Sequence, residues 1–566
     1  MAVNSKCILV SHPDHVEYAR VNYPDAVIIS RSQVLIDLFP STKIDYFYGE
    51  SSNESISEKS VIAFSNNWYR DENGEDRFHK NGFSVPQILT GSIKIGVASH
   101  VREFIAFSTL TRRFEMIYIS ESEDDIFMRV AKFFGSVIGF YDAINSGSYW
   151  GAWLQERKLR NFLGTQLGNV TTSFLKFLLY FRNGSFPRRY QRKTLIFSDW
   201  TNFKNPILRN GIWTNCKNPL KSALIFTNRY SDGIAADFMP IKREVLNGEI
   251  NFQDLNSIYG IVDIDMLKTV LVDYIYDLID KNIEILRLYI SQVVYLFETY
   301  HPERIVVPAE IFEPFTAAIQ VASRYSSETI LMVDGHDSVG DSLPSLWNAG
   351  NSDLLINSYV VSSSIQYEYA RSGDIPESKI ITQDSIFYFL HSSLKKVESC
   401  YEVIVLTWIP NHQNPNARND SPAKTLYDVL SVASKVLNGR IGIKVKDPLL
   451  ELEYVNTIVN SLHLSDRVDV LTGRFSDHVM KSELFIGGFS SAIAECSLHQ
   501  KRYVVYEPLS NGYGELHTDR RCVSNNFRIA RDGTDLINMV ENGTNSLECN
   551  PDRYLKCEYP SKNHIT

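Results

Sequence analysis

The stretch Leu484 to Pro508 reads LFIGGFSSAIAECSLHQKRYVVYEP. Gly487 and Gly488 close an apolar run, Ser490 and Ser491 open a segment of helical period, and Glu495 follows four residues after Ser491. A serine pair between a strand's end and a helix's first turn suits an anion. Backbone N–H groups there lack intrahelical partners, the dipole favours negative charge, and the hydroxyls add neutral donors for a phosphate. The glycines would let a ligand approach the backbone closely. Glu495 lies one turn on, on the face of Ser491, where a carboxylate can accept both hydroxyls of a ribose. The competing reading is local: Ser490 as an N-cap and Glu495 as a solvated helix residue. Upstream, IKVKDP sets Lys444, Lys446, Asp447 and Pro448 at another strand's end. The lysines would neutralise phosphate and Pro448 would shape a loop over a base; an ordinary solvated strand end is the alternative.

A second constellation, VDGHDSVGD at 333–341, gathers Asp334, His336, Asp337 and Asp341 beside glycines that permit tight turning. A positioned carboxylate or imidazole can take the proton from an attacking hydroxyl. A capped loop with solvated acids is the other reading. His412, in TWIPNHQNPN at 407–416, is a further candidate contact to a bound phosphate. SHPDH at 11–15 and SDWTNF at 198–203 place His12, Asp14, His15 and Asp199 at strand ends, where surface turns are the expectation. The seven cysteines are scattered without CxxC spacing, and Asp-x-Asp stands in no suitable place. Reduced thiols, no metal and no cofactor are therefore expected.

The elements that must carry these residues alternate. From 401 the chain runs YEVIVLTWIP, a helix near 421–437, RIGIKVKDP, a helix near 450–463, RVDVLTG, LFIGGFSS, another helix and RYVVYEP. Short strands separated by helices imply right-handed crossovers and a doubly wound parallel sheet, which takes ligands outside the carboxyl ends of its strands. A second such region holds KTLIFSDW, a long amphipathic helix over 264–300, ERIVVPAE, a helix over 313–325, TILMVDGHD, DLLINSY and KIITQD. The first 120 residues alternate too, through KCILVSHPDH, DAVIIS, KIDYFYG, SVIAFSNN, KIGVASH and EMIYIS. They form either a separate unit or an extension of the next. The expected division is an N-terminal α/β region at 1–120, a helical basic-aromatic segment at 121–192, one Rossmann-like domain at 193–390 and another at 391–566.

With these motifs in hand, the chain resembles bacterial surface-polysaccharide glycosyltransferases of the glycosyltransferase-B fold, especially transferases of CMP-linked ulosonic acids such as Kdo and sialic acid. Lys444 to Pro448 is similar to their Lys-x-His-Pro-like motif, and Ser490-Ser491 to the Ser-Ser pair that holds the CMP phosphate. Asp447 departs from the pattern, standing where the family has histidine, so Lys446 or Lys444 would take that role or the donor differs. The segment SGDIPESKIITQDS at 372–385 resembles the hinge before the second domain, and Val333-Asp334-Gly335 matches two of three positions of an acidic-acidic-glycine motif. The resemblance implies two Rossmann-like doubly wound domains facing a cleft, with an additional N-terminal α/β region. It implies Asp334 as base with His336 or Asp337 orienting it, and a donor site of Lys444, Lys446, Pro448, Ser490, Ser491, Glu495 and His412. The partners it implies are a nucleotide-sugar donor and a glycan or lipid-linked acceptor.

Bulk properties narrow the class. The 566 residues are 22% charged and 44% hydrophobic, ordinary for a globular chain of two or three domains. A formal charge of −9 argues against a nucleic-acid partner. There is no basic stretch followed by an apolar leader, and no apolar run near the roughly 20 residues that span a bilayer. A cytoplasmic protein is expected. FLKFLLYFRNGSFPRRYQRK at 174–193 carries six basic residues among aromatic and aliphatic ones. It is either a peripheral membrane contact on the inner face or a core helix with a basic loop. The rival functions are a UDP-sugar transferase or epimerase of the same fold, and a non-catalytic scaffold of a polysaccharide assembly.

Overall fold

The computed structural model describes residues 6–49, 58–80, 83–141 (except 122 and 124), 194–197, 212–214, 243–258, 263–307, 313–332, 356–382 (except 362, 373 and 374), 399–408, 421–508 and 528–546. Three parallel sheets organise them. The first contains β1 (Lys6–Val10), β2 (Val27–Ser30), β3 (Ile44–Tyr46), β6 (Met116–Ser120) and β7 (Ile138–Tyr141) in the order β3-β2-β1-β6-β7; β4 (His79–Lys80) and β5 (Phe83–Ser84) form a small antiparallel pair beside it. Helices α1 (Pro13–Asn22), α2 (Gln33–Leu38), α3 (Glu58–Asn67), α4 (Val85–Ile88), α5 (Thr90–Thr111) and α6 (Asp125–Phe133) belong to this unit. The unit thus runs to Tyr141, past the boundary expected at 120. Two runs expected as strands are helical. SVIAFSNN lies in α3 and KIGVASH in α5, because a short apolar run reads alike for a buried strand and a buried helix.

The second sheet contains β8 (Thr194–Phe197), β9 (Ile212–Thr214), β10 (Arg304–Val307), β11 (Glu328–Met332), β12 (Ser358–Val361) and β13 (Ile380–Thr382), ordered β13-β12-β11-β10-β8-β9. Its helices are α7 (Arg243–Glu249), α8 (Ile264–Tyr300), α9 (Glu313–Arg324) and α10 (Ser364–Ser372). The 37-residue α8 starts where the Asp263 carboxylate accepts from the Asp265 and Met266 amides, and ends at His301 in the left-handed region, φ 45°. One continuous core joins the first two sheets: Leu9 and Ile117 share it with Ile305 and Leu331 through α5 and α8. Being enclosed, α5 is buried on nearly every face. Gly96 permits the crossing, since a Cβ there would overlap the Tyr274 ring of α8.

The third sheet contains β14 (Val403–Leu406), β15 (Ile441–Lys444), β16 (Val468–Leu471), β17 (Leu484–Gly487), β18 (Arg502–Tyr506) and β19 (Ile529–Ala530), ordered β16-β15-β14-β17-β18-β19. Around it lie α11 (Ser421–Val436), α12 (Pro448–Ser461), α13 (Ala492–Leu498) and α14 (Gly533–Glu541). VIVL and IGIK are unbroken apolar-faced runs because helices cover both sides of a parallel sheet. The expected doubly wound α/β class, with an added N-terminal α/β unit, is what the chain adopts.

Candidate functional site

Counted along the chain, the third sheet has strand order 3-2-1-4-5-6. Its order reverses between β14 and β17, and a doubly wound sheet opens a crevice at that reversal, outside the strands' carboxyl ends. Ser490 and Ser491 stand there, just past β17. Ser490 is exposed and Ser491 half-buried. Ser490 Oγ accepts from the Ala492 amide at 3.3 Å and lies 3.5 Å from the Tyr503 hydroxyl. Ser491 occupies the N-cap position of α13 but makes no side-chain cap bond. Neither the Ser490 nor the Ser491 amide has a partner among the described residues. The corner therefore holds two amides and one hydroxyl without partners among the described residues. With only seven residues, α13 adds little dipole; the donors themselves are what it offers.

The two glycines are set by their protein neighbours. A Cβ at Gly487 would lie 2.4 Å from the Tyr503 hydroxyl, and one at Gly488 would lie 2.9 Å from Trp408 and 3.2 Å from Glu507. Neighbouring side chains already fill the space that a Cβ would take. Those neighbours lock the corner. Glu507 accepts from the Phe489 amide at 2.9 Å, the Tyr503 hydroxyl donates to the Gly488 carbonyl at 2.7 Å, and Trp408 Nε1 donates to the Tyr506 carbonyl at 3.0 Å. Glu495 is buried at 8% exposure, so it is not the solvated residue of the local reading.

Beside the crevice, past β15, the lysines divide. Lys446 is exposed. Lys444 is buried, its ammonium donates to the Val445 carbonyl, and burial holds its pKa down against the pull of Glu451 and Asp477. Pro448 is the first residue of α12, a position its missing N–H suits, rather than the shaper of an open loop. The residue missed from sequence is Glu451. It accepts from the Thr407 hydroxyl at 2.6 Å and from the Lys446 amide at 2.9 Å, tying the exits of β14 and β15 together. Burial raises its pKa, and those hydrogen bonds oppose the rise. Helical spacing alone marks Glu451 as an ordinary first-turn acid, so nothing local pointed to it.

The first sheet has order 3-2-1-4-5, which reverses between β1 and β6. His12, expected on a surface turn, has a side chain only 14% exposed, and its Nδ1 accepts from the Asp14 amide at 3.1 Å. His15 is buried between Ser11 and Tyr141. Deeper in this unit Arg31 donates to Glu123 at 2.8 Å and to Glu103 at 3.1 Å, and the Tyr48 hydroxyl donates to Glu103 at 2.8 Å. All four are buried. This network pins β2 and the loop after β6 to α5. Asp334, His336, Asp337 and His412, with Asp199 and the segment 174–193, lie outside the described residues. No His, Cys, Asp and Glu grouping suited to a metal occurs among the described residues, and none of their helices is long and apolar enough to cross a membrane.

No protein-family profile and no curated protein matches the chain. Its trace is similar to solved structures at low identity. The S. aureus MnaA–UDP complex is 11% identical over 48% of this chain and 74% of its own, with a TM-score of 0.36. UDP-GlcNAc 2-epimerase from Neisseria meningitidis bound to UDP-GlcNAc is 15% identical over 48% and 77%, with a TM-score of 0.35. A glycosyltransferase from Rickettsia africae is 12% identical over 45% and 69%, with a TM-score of 0.31. At this level of similarity no ligand or activity transfers to the present chain.

Proposed function

We propose that this protein is a nucleotide-sugar-dependent enzyme of glycosyl chemistry, with the donor's phosphate at the Ser490–Ser491 corner. One observation carries the reading. Two amides and a hydroxyl without partners among the described residues are held at the order reversal of a 3-2-1-4-5-6 sheet. In this reading Lys446 would neutralise the phosphate and Glu495 would accept from the ribose hydroxyls. Departure of the nucleotide is then stabilised by oriented donors and by the lysine.

The finer reading is transfer of Kdo or a related ulosonate from a CMP-sugar to a bacterial surface glycan or lipid-linked acceptor. Asp334 would be the base, oriented by His336 or Asp337, with His412 on the donor. A UDP-sugar transferase or epimerase is the second reading. Asp447 favours it, because a carboxylate stands where the CMP-ulosonate pattern places an imidazole donor. Thermal stabilisation by CMP, UDP and GDP, followed by mass spectrometry with the matching sugar nucleotides and lipid-oligosaccharide acceptors, separates the two. Stabilisation by none of the three refutes the nucleotide-sugar reading, whereas binding without turnover favours a scaffold. For a cytoplasmic, membrane-peripheral enzyme, co-sedimentation with anionic vesicles would fall at high salt and after Arg188 and Arg189 become glutamate.

A further inference from the structure

We infer that Arg531, past the exit of β19, is a positioning residue for the Ser490–Ser491 corner: it offsets the buried negative charge of Glu507 behind that corner and so lets the corner take a phosphate. The inference rests on the nucleotide-sugar reading above and adds to it a residue that acts through another rather than on the donor itself.

Three neighbouring strands end side by side here. β17 leads into the corner, β18 into Glu507 and β19 into Arg531, and the three are adjacent in the sheet. Glu507 is 4% exposed. Its carboxylate accepts from the Phe489 amide at 2.9 Å, one residue before Ser490, and a Cβ on Gly488 would lie 3.2 Å from the same oxygen. That bond fixes the strand exit from which the Ser490 and Ser491 amides follow. It also sets a negative charge behind a site that must accept another. A buried charge without compensation is costly, and like charges repel most strongly where water is excluded. The corner suits a phosphate once Glu507 is compensated.

Arg531 is fastened where it can do this. Its Nη1 donates to the Glu507 main-chain carbonyl at 2.8 Å, and the Glu507 amide donates to the Ala530 carbonyl at 3.1 Å. Burial lowers the Arg531 pKa, and the charges of Glu507 and then Asp535 act against that fall. A guanidinium remains protonated in such surroundings. The two acids differ in setting. Asp535 is exposed and its carboxylate accepts from the Arg531 amide at 3.2 Å, whereas Glu507 is enclosed. Water screens the first charge and leaves the second to the guanidinium.

Isothermal titration of the full chain with UDP, CMP and GDP tests the assignment. The proteins compared are the wild type, Arg531→Lys, Arg531→Met, Glu507→Gln and the double variant Arg531→Met with Glu507→Gln. Arg531→Met should bind the nucleotide that the wild type binds roughly 10-fold more weakly, the effect of one uncompensated charge near a bound phosphate. Arg531→Lys should recover most of that loss. Glu507→Gln keeps an oxygen for the Phe489 amide and removes the charge, so it should bind more tightly than the wild type, and this arm does not depend on whether Arg531→Met folds. The double variant should return to within about 3-fold of wild-type affinity, because the two sites are coupled through charge. A merely structural Arg531 gives the opposite pattern. The double variant would then bind as weakly as Arg531→Met, and Glu507→Gln no more tightly than the wild type. Either of those results, or Arg531→Met binding like the wild type, overturns the inference and leaves the nucleotide site standing. A wild-type chain that binds none of the three nucleotides overturns both.

Discussion

At the residue scale the two serines, alike in sequence, do different work. Ser490 spends its hydroxyl on the Ala492 amide, while Ser491 makes no cap bond. Ser491→Ala should therefore weaken nucleotide binding by about 1–2 kcal/mol, one hydrogen bond to a charged group, with the fold unchanged. Isothermal titration with the stabilising nucleotide measures it, and affinity equal to wild type removes Ser491 from the site. Glu451 carries a pH signature. Its folded pKa is raised above 4.5 by burial, so between 4.5 and the raised value the folded state binds more protons than the unfolded one. Its contribution is fully present below about pH 4.5 and is lost as pH rises through the folded pKa. Glu451→Gln retains an oxygen to accept from Thr407 and Lys446 but cannot titrate. Urea unfolding from pH 4 to 8 should show the wild type losing stability relative to this variant as pH rises across that window. A difference independent of pH would mean Glu451 acts by packing alone.

At the element scale the glycines report how tightly the site's supports are built. Gly488→Ala must displace Trp408 or Glu507, the groups that hold the Phe489 amide and the β18 exit. Overpacking of this kind costs about 1–3 kcal/mol. The corner should open with it, so chemical denaturation and nucleotide affinity are expected to fall together. A variant as stable as wild type would show that the crevice yields without strain. Legibility from sequence follows the same physics. Five of the third sheet's six strands were readable because their apolar runs are short, β-rich and separated by helices of clear period, whereas the two-residue β19 is too short to show a pattern. Helix α8 was readable to its ends, with Asp263 capping and an amphipathic pattern between. KIGVASH was misread because α5 is enclosed by a sheet and by α8, which erases the polar face that marks a helix. The site divides likewise. The Ser-Ser corner showed in its local pattern, whereas Glu451 and Trp408 act through partners 44 and 98 residues distant. The interlock of Gly487 with Tyr503 is equally invisible along the chain.

At the scale of the whole molecule, the cores decide what unfolds with what. The first two sheets share one core through α5 and α8, so they should melt as a single cooperative unit. The third has apolar clusters on its two faces, and the first unit enters one of them through Val34. Calorimetry should accordingly resolve two coupled transitions. Val34 belongs by sequence to the first unit, yet its side chain is fully buried against α11. Replacing it with alanine removes apolar contact and leaves a cavity worth roughly 1–3 kcal/mol. Because that cavity lies between units, the cost should fall on their coupling. The transition assigned to the third sheet should move to lower temperature and the separation between the two should widen. Asp37→Asn, which breaks the nearby pair with Lys424, should do the same more weakly, by about 0–1 kcal/mol, since Lys424 keeps Asp428 as a partner. If Val34→Ala instead lowers only the transition of the first two sheets, Val34 stabilises its own unit. Its burial against α11 would then contribute little to the coupling of the two units.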